Sequence, residues 1–210
     1  MPRVLRDYTK FHTFIAKLTD KSISLETKDI LDQLCKFIIT TITTRASKLC
    51  AHANRVILDY NAVQTILFIL VKDSQIHQWT QDRLSQYTNS NKKAVTKHER
   101  AGLCIPPTRV KQLMSTCITS NQQIGDTASV ILAAICEWLF RFIIDECKTE
   151  ITGIDVYNAL NSRKARIYRS LLKDVYIAGY GPVGDQMLLD AQADFFDSES
   201  DSDSTSETNS

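Results

Sequence analysis

Ser129-Val130-Ile131-Leu132-Ala133-Ala134-Ile135-Cys136-Glu137-Trp138-Leu139-Phe140-Arg141-Phe142-Ile143-Ile144 decides the fold. Only Ser129, Glu137 and Arg141 interrupt its apolar surface, and Ile131, Ile135, Trp138 and Phe142 recur at helical spacing. A helix that is apolar nearly all round must be buried on most sides. The pattern predicts one long helix, capped by Asp126 and running to about Cys147. About a hundred residues earlier, Ile30, Leu34, Phe37, Ile38, Thr41, Ile42 and Leu49 predict a second long helix over Thr27 to His52.

The flanks of the two long helices match. In the first half, Phe11, Phe14, Ile15 and Leu18 predict a short helix from Tyr8 to Leu18, and Ser24 or Thr27 can cap the long one. Ala53 to Leu58 reads as an extended link. Asp59 then caps a helix carrying Val63, Ile66, Leu67 and Leu70, and Ile76, Trp79, Arg83 and Leu84 mark a further helix from Ser74 to Tyr87. In the second half, Pro107 opens a short helix over Thr108 to Thr116. Asp155 caps a helix to about Ser162, and Ala165 to Leu172 supplies a last one. A short-long-short unit cannot bury both faces of its long helix alone, whereas two units packed head to tail with their long helices crossing can. The expected fold is therefore all-α: one unit over 1–88, a polar basic linker over 89–100, a second unit over 101–173, an extension over 174–189 and an acidic, disordered tail over 190–210.

Charge is unevenly placed along the 210 residues. All 25 Lys and Arg precede position 189, while seven of the 24 acidic residues follow it, so the body carries about +8 against a net charge of +1 for the whole. A basic body with an acidic tail suits a polyanionic partner and a means of moderating contact with it. Neither a secretory segment nor a membrane span is expected, because Glu137 and Arg141 interrupt the most apolar stretch. The six cysteines lack paired metal-type spacing and read as thiols of a reducing compartment. No cofactor and no metal are expected. His12, His52, His77 and His98 form no nucleophile-base order with Cys104 or Cys117, so an enzyme is not expected either.

Particular stretches carry a family resemblance. Ala46-Ser47-Lys48-Leu49, Asn54-Arg55 and Ala62-Val63-Gln64-Thr65 resemble the end of the central helix, the second loop and the third helix of histone 2B. Lys93-Ala94-Val95-Thr96-Lys97 looks like the end of that histone. Arg100-Ala101-Gly102-Leu103-Cys104-Ile105-Pro106-Pro107-Thr108-Arg109-Val110 and Leu132-Ala133-Ala134-Ile135-Cys136-Glu137-Trp138-Leu139 are similar to the start and central helix of histone 2A. Leu171-Leu172-Lys173-Asp174-Val175-Tyr176-Ile177-Ala178-Gly179-Tyr180-Gly181 is similar to its docking extension. In this order on one chain, residues 7 to 190 resemble the fused histone doublets of large double-stranded DNA viruses. The resemblance implies two histone folds in an intramolecular handshake, held at high effective concentration by fusion. It also implies binding to double-stranded DNA without sequence preference. The partner would be a histone 4–histone 3 doublet or tetramer, with histone chaperones as further partners, and the location the virion, the viral factory or the host nucleus during infection.

The resemblance places Arg55 where a loop arginine enters the minor groove and Arg109 where a phosphate is contacted. Helix amino termini near Ser24, Thr108 and Gly125 can offer backbone N–H groups to phosphates. Lys28, Lys48, Lys92, Lys93, Lys97 and Arg100 can add counterion-releasing contacts. Trp79, Arg83, Tyr176, Ile177 and Gly181 are the expected docking residues for partner histones, and Phe195 and Phe196 the anchors of a chaperone-like tail covering the DNA surface. Several positions depart from the family: Glu150 and Gln123 stand where arginines are usual and Ile57 where a hydroxyl is. Arg163-Lys164-Ala165-Arg166 replaces an acidic run, leaving Asp145 and Glu137 as the surface acids of that region. Looser DNA contact and poor binding of peptides that seek an acidic patch are expected. The rival readings are a histone-fold transcription or architectural subunit and a protein-binding scaffold without DNA contact.

Overall fold

The computed structural model describes residues 10–90 and 96–183, and the chain is mostly helical. The first half runs α1 (His12–Ile15), a 3-10 turn (Ala16–Leu18), β1 (Ser22–Ile23), α2 (Leu25–His52), β2 (Ile57–Leu58), α3 (Tyr60–Leu70) and α4 (Ser74–Asn89). The Ser24 hydroxyl caps α2 by accepting the Thr27 N–H, while Thr27 is itself buried inside the first turn and so is not the cap. The expected extended link starts as a turn. Asn54 has φ 52°, a left-handed conformation that asparagine tolerates, and the Arg55 N–H closes the helix on the Cys50 carbonyl. Asp59 caps α3 through the Ala62 N–H, as expected, and Asp73 caps α4.

The second half runs α5 (Lys97–Ala101), α6 (Pro107–Met114), β3 (Gln123–Ile124), α7 (Asp126–Glu146), β4 (Glu150–Ile151), α8 (Gly153–Asn161), a 3-10 turn (Arg163–Tyr168), α9 (Arg169–Leu172) and the hairpin β5 (Tyr176–Ile177) and β6 (Gly181–Pro182). Two expected caps move. Gly125 is the N-cap of α7, with Asp126 already helical, and Thr152 caps α8 in a reciprocal box with Asp155. Part of the expected linker is also ordered as helix: Asn89 ends α4, and Thr96 and Glu99 form a capping box that opens α5. Arg100 is buried there, stacked 4.2 Å from the Tyr87 ring and donating to the Tyr87 carbonyl at 2.8 Å.

Of the 21 residues of α7, 14 are buried, and they cover its whole circumference from Ala128 to Ile144. By length and composition this is also a helix that could cross a membrane, yet 78% of its apolar window lies inside the molecule. Its surroundings come from both halves. The buried face of α2 carries Leu31, Leu34, Cys35, Ile38, Ile39 and Ile42, and α3, α4 and α6 close the remaining sides. Trp79 on α4 donates its indole N–H to the Ala134 carbonyl of α7 at 3.1 Å and packs against Trp138. Trp79, expected to dock a partner histone, is thus engaged within the chain as a strut between α4 and α7. Tyr168 joins the same seam, accepting from Trp138 Nε1 at 2.9 Å and donating to Asp73 at 3.2 Å.

The halves are tied reciprocally at their loops. β1 pairs in parallel with β4, matching Ile23 to Ile151, and β2 pairs in parallel with β3, matching Leu58 to Ile124. Lys21, from the first half, donates to the Ile144 and Cys147 carbonyls and so closes the carboxy end of α7. In the opposite sense, Gln122 from the second half donates to the Ser47 carbonyl of α2 at 2.9 Å.

Glu137 adds a buried charge to this core. It is 0% exposed, accepts the Cys104 N–H at 2.7 Å with one oxygen and the Arg141 guanidinium at 2.9 Å with the other. Glu137, expected at the surface, is instead the clamp that fixes the 103–105 loop to α7. Replacing Glu137 by Ala strands a buried N–H and the arginine, and should lower stability by about 2–4 kcal/mol. Urea unfolding should show both halves lost in one transition, since they share one core; two separated transitions would contradict the shared core.

Candidate nucleic-acid interface

Each loop pair brings a helix amino terminus beside the other half. At the first pair, the Gln123 N–H donates to the Val56 carbonyl at 2.8 Å and the Gly125 N–H to the Leu58 carbonyl at 2.9 Å. A Cβ on Gly125 would meet the Leu58 oxygen at 3.3 Å, so the absence of a side chain suits the close approach of the two loops. Gly125 also caps α7 without a side-chain acceptor, and its carbonyl accepts the Ala128 N–H of the first turn at 3.2 Å. At the second pair, the Ser24 N–H donates to the Ile151 carbonyl at 3.2 Å, which sets the start of α2 against the loop before α8.

Cations and carboxylates alternate around these termini. Arg55, with 48% of its side chain exposed, donates to Asp59 at 2.8 Å. Lys111 and Lys97 reach the Asp126 carboxylate at 2.8 and 3.0 Å. These two hydrogen bonds, that of Lys111 foremost, hold the Asp126 carboxyl below its ordinary range. An anion approaching the amino end of α7 therefore meets a carboxylate already bound by two lysines. The second pair exposes Glu26 and Glu150 as well as Lys148. Glu150 pairs with Ser22 in the ladder, so its place in the loop follows from the β1–β4 register.

The expected contact residues divide. Arg55, Ser24, Gly125 and Lys97 sit at the loop pairs or helix starts, Lys28 is half-buried in the first turn of α2, and Lys48 is exposed near the end of that helix. Thr108 is exposed and Arg109 half-buried on α6. Pro107 supplies no N–H, and the Arg109 and Val110 N–H groups both bond the Pro106 carbonyl, so this helix start has fewer donors to give than expected. Arg100 is withdrawn into the α4–α5 packing and is not a contact residue. Lys92, Lys93, Phe195 and Phe196 lie outside the described residues.

Of the docking set, Ile177 is buried, Tyr176 is 67% exposed and Gly181, at φ 107°, opens β6 after the hairpin turn. Arg83 lies 3.8 Å over the Trp79 ring and presses on Gly102, so it belongs to the α4–α7 seam before any partner arrives. The structure offers a different apolar surface: Phe68 and Ile69 on α3 are 55% and 62% exposed. Phe68 stacks 3.8 Å from His77, beside a groove of about 530 Å³ that also includes Val71 and Gln81. An exposed Phe-Ile pair at the end of an apolar helical run is the signal in the sequence that could have marked it.

Lys21, Lys111 and Asp126 were also missed as a class, because ion pairs between elements far apart in sequence leave no local spacing. Among the described residues no group of His, Cys, Asp or Glu could hold a metal ion. Burial raises the Cys35, Cys50, Cys104 and Cys147 thiols, the last to about 11, which keeps them protonated at neutral pH.

Because the folded Asp126 carboxyl is held low, its pairing contributes stability above the ordinary carboxylate range and loses it as pH falls through the folded value. A carbon-detected titration should show Asp126 titrating below its ordinary value, and Lys111→Ala should move it back up. An Asp126 indifferent to Lys111→Ala would contradict the pairing. No protein-family model matches the chain.

Proposed function

We propose that the chain is a fused pair of histone folds that binds duplex DNA without sequence preference and joins a histone 4–histone 3 partner in a nucleosome-like particle. The observation that carries this reading is the reciprocal loop pairing, in which β1 meets β4 and β2 meets β3 so that each half lends a loop to the other. Head-to-tail packing of two short-long-short units around crossed long helices is the arrangement that the resemblance implies, and it supports the finer reading of an otherwise simply helical protein. Each paired loop brings a helix start and nearby cations together, a combination that binds phosphate without reading bases. The exposed Phe68–Ile69 surface suits a protein partner better than DNA, because it is apolar.

The grip on DNA is weak on this reading. Asp59 engages Arg55, Asp126 engages Lys97 and Lys111, and Glu26 and Glu150 add negative charge at the second loop pair. Each phosphate contact that is lost reduces affinity and flattens its salt dependence by about one charge. The same carboxylates favour, as a second reading, a scaffold that binds proteins alone.

Binding to random-sequence duplex at several salt concentrations separates the two. Arg55→Ala should weaken binding equally on all sequences and lower the salt slope by about one. Asp126→Asn should do the reverse, strengthening binding and raising the slope by as much as about two as Lys97 and Lys111 are released. Binding that is absent at low salt, or unmoved by both substitutions, would leave the scaffold reading.

A further inference from the structure

The α4–α7 seam carries a cationic aromatic surface that the proposed DNA contacts do not use. The Arg83 guanidinium lies 3.8 Å over Trp79, and that of Arg141 sits 5.5 Å from the same ring with 43% of its side chain exposed. Lys17 belongs to the same field: burial and then the Glu137 carboxylate raise the Cys104 thiol, while Arg141, Lys17 and Arg83 lower it, so the three charges act on one thiol. Glu137 offsets one of the three charges, yet it is fully buried and its oxygens are taken by the 103–105 loop and Arg141. Independently, Arg83 Nε is a buried donor with no hydrogen-bond partner. A docked carboxylate does not reach that enclosed Nε, but it can answer the guanidinium charge at the outer nitrogens, of which Nη1 meets the neutral Gln86 Oε1 at 3.1 Å. Carboxylates answer arginine best.

From these observations we infer that this surface docks an acidic peptide, and that its occupant is the chain's own segment Asp194–Asp203. That segment combines Asp194, Asp197, Glu199, Asp201 and Asp203 with Phe195 and Phe196. Its charge complements the Lys17–Arg83–Arg141 cluster, and its rings suit the edge of the Trp79 indole. Reach is no obstacle. Val183 is fixed by its N–H to the Val175 carbonyl. The eleven residues from there to Asp194 span up to roughly 36–40 Å, against a radius of gyration of about 17 Å for a chain of this length. Docking on the seam differs from a tail lying across the DNA surface.

The test uses the full chain without DNA and a zero-length carbodiimide cross-linker, which joins a carboxylate to an amine only in direct contact. Lys17 should link to carboxylates of 194–203 in preference to Lys28, Lys48 and Lys97, and high salt should abolish the link. Arg83→Gln should cut its yield at least about threefold, the scale of one partly exposed ion pair, whereas Lys48→Gln should leave it unchanged. Replacing Asp194 and Asp197 by Asn, outside the folded body, should reduce linking through Glu199 to Asp203 by a similar factor. Evenly spread links, or yields indifferent to both Arg83→Gln and the tail variant, would overturn the docking. Links found only between isotopically distinguished copies would overturn its being internal to one chain.

Discussion

A 21-residue helix that is apolar over its whole circumference must be enclosed on every side, and the rest of the structure follows from enclosing α7. At about 25 cal/mol per Å² of apolar surface, exposing even one face of it would be unfavourable. The second half alone supplies α5, α6 and α8 against it, while α2, α3 and α4 arrive from the first half. The halves are therefore not two domains in contact but one core assembled from two stretches of chain. The loop pairing, the Lys21 closure of the α7 carboxy end and the Trp79 strut are the polar fastenings of that core.

Electrostatics then set what the outside can do. A body with an excess of basic residues would ordinarily present them to a polyanion, but here the cations nearest the helix starts are partly satisfied by Asp59 and Asp126. Other cations are drawn toward the protein interior, Arg100 onto Tyr87 and Arg83 onto Trp79. Net charge overstates the positive field available at the loops, because it counts charges already answered. The proposed DNA binding is correspondingly loose, with a shallower salt dependence than the net charge alone suggests.

The long helices were legible in the sequence because their apolar residues repeat over five turns or more, and so were the Asp59 cap and the placing of Pro107 at the start of α6. Finer points were not. Aspartate is equally at home as an N-cap or in the first helical turn, so nothing local told Asp126 from Gly125 or Asp155 from Thr152. The five residues of α5 are too few to show a period. An acidic residue on a helix reads as solvent-facing until its partner is known, and the partner of Glu137, the Cys104 N–H, lies 33 residues away. Trp79 likewise gives no sign of whether its apolar ring meets its own chain or another. The candidate contacts followed the same rule: Arg55 and Gly125 were legible from their loops, but Asp126 and Lys111 meet only in the fold.

On the proposed function, two interlocked halves act as one DNA-binding unit within a larger histone particle. This is tested most directly by mixing the chain with a histone 4–histone 3 pair on random-sequence duplex and digesting with micrococcal nuclease. A discrete protected length greater than the partner gives alone, and shorter than the roughly 146 base pairs of the cellular particle, is the predicted result. Protection identical to that of the partner alone would contradict it.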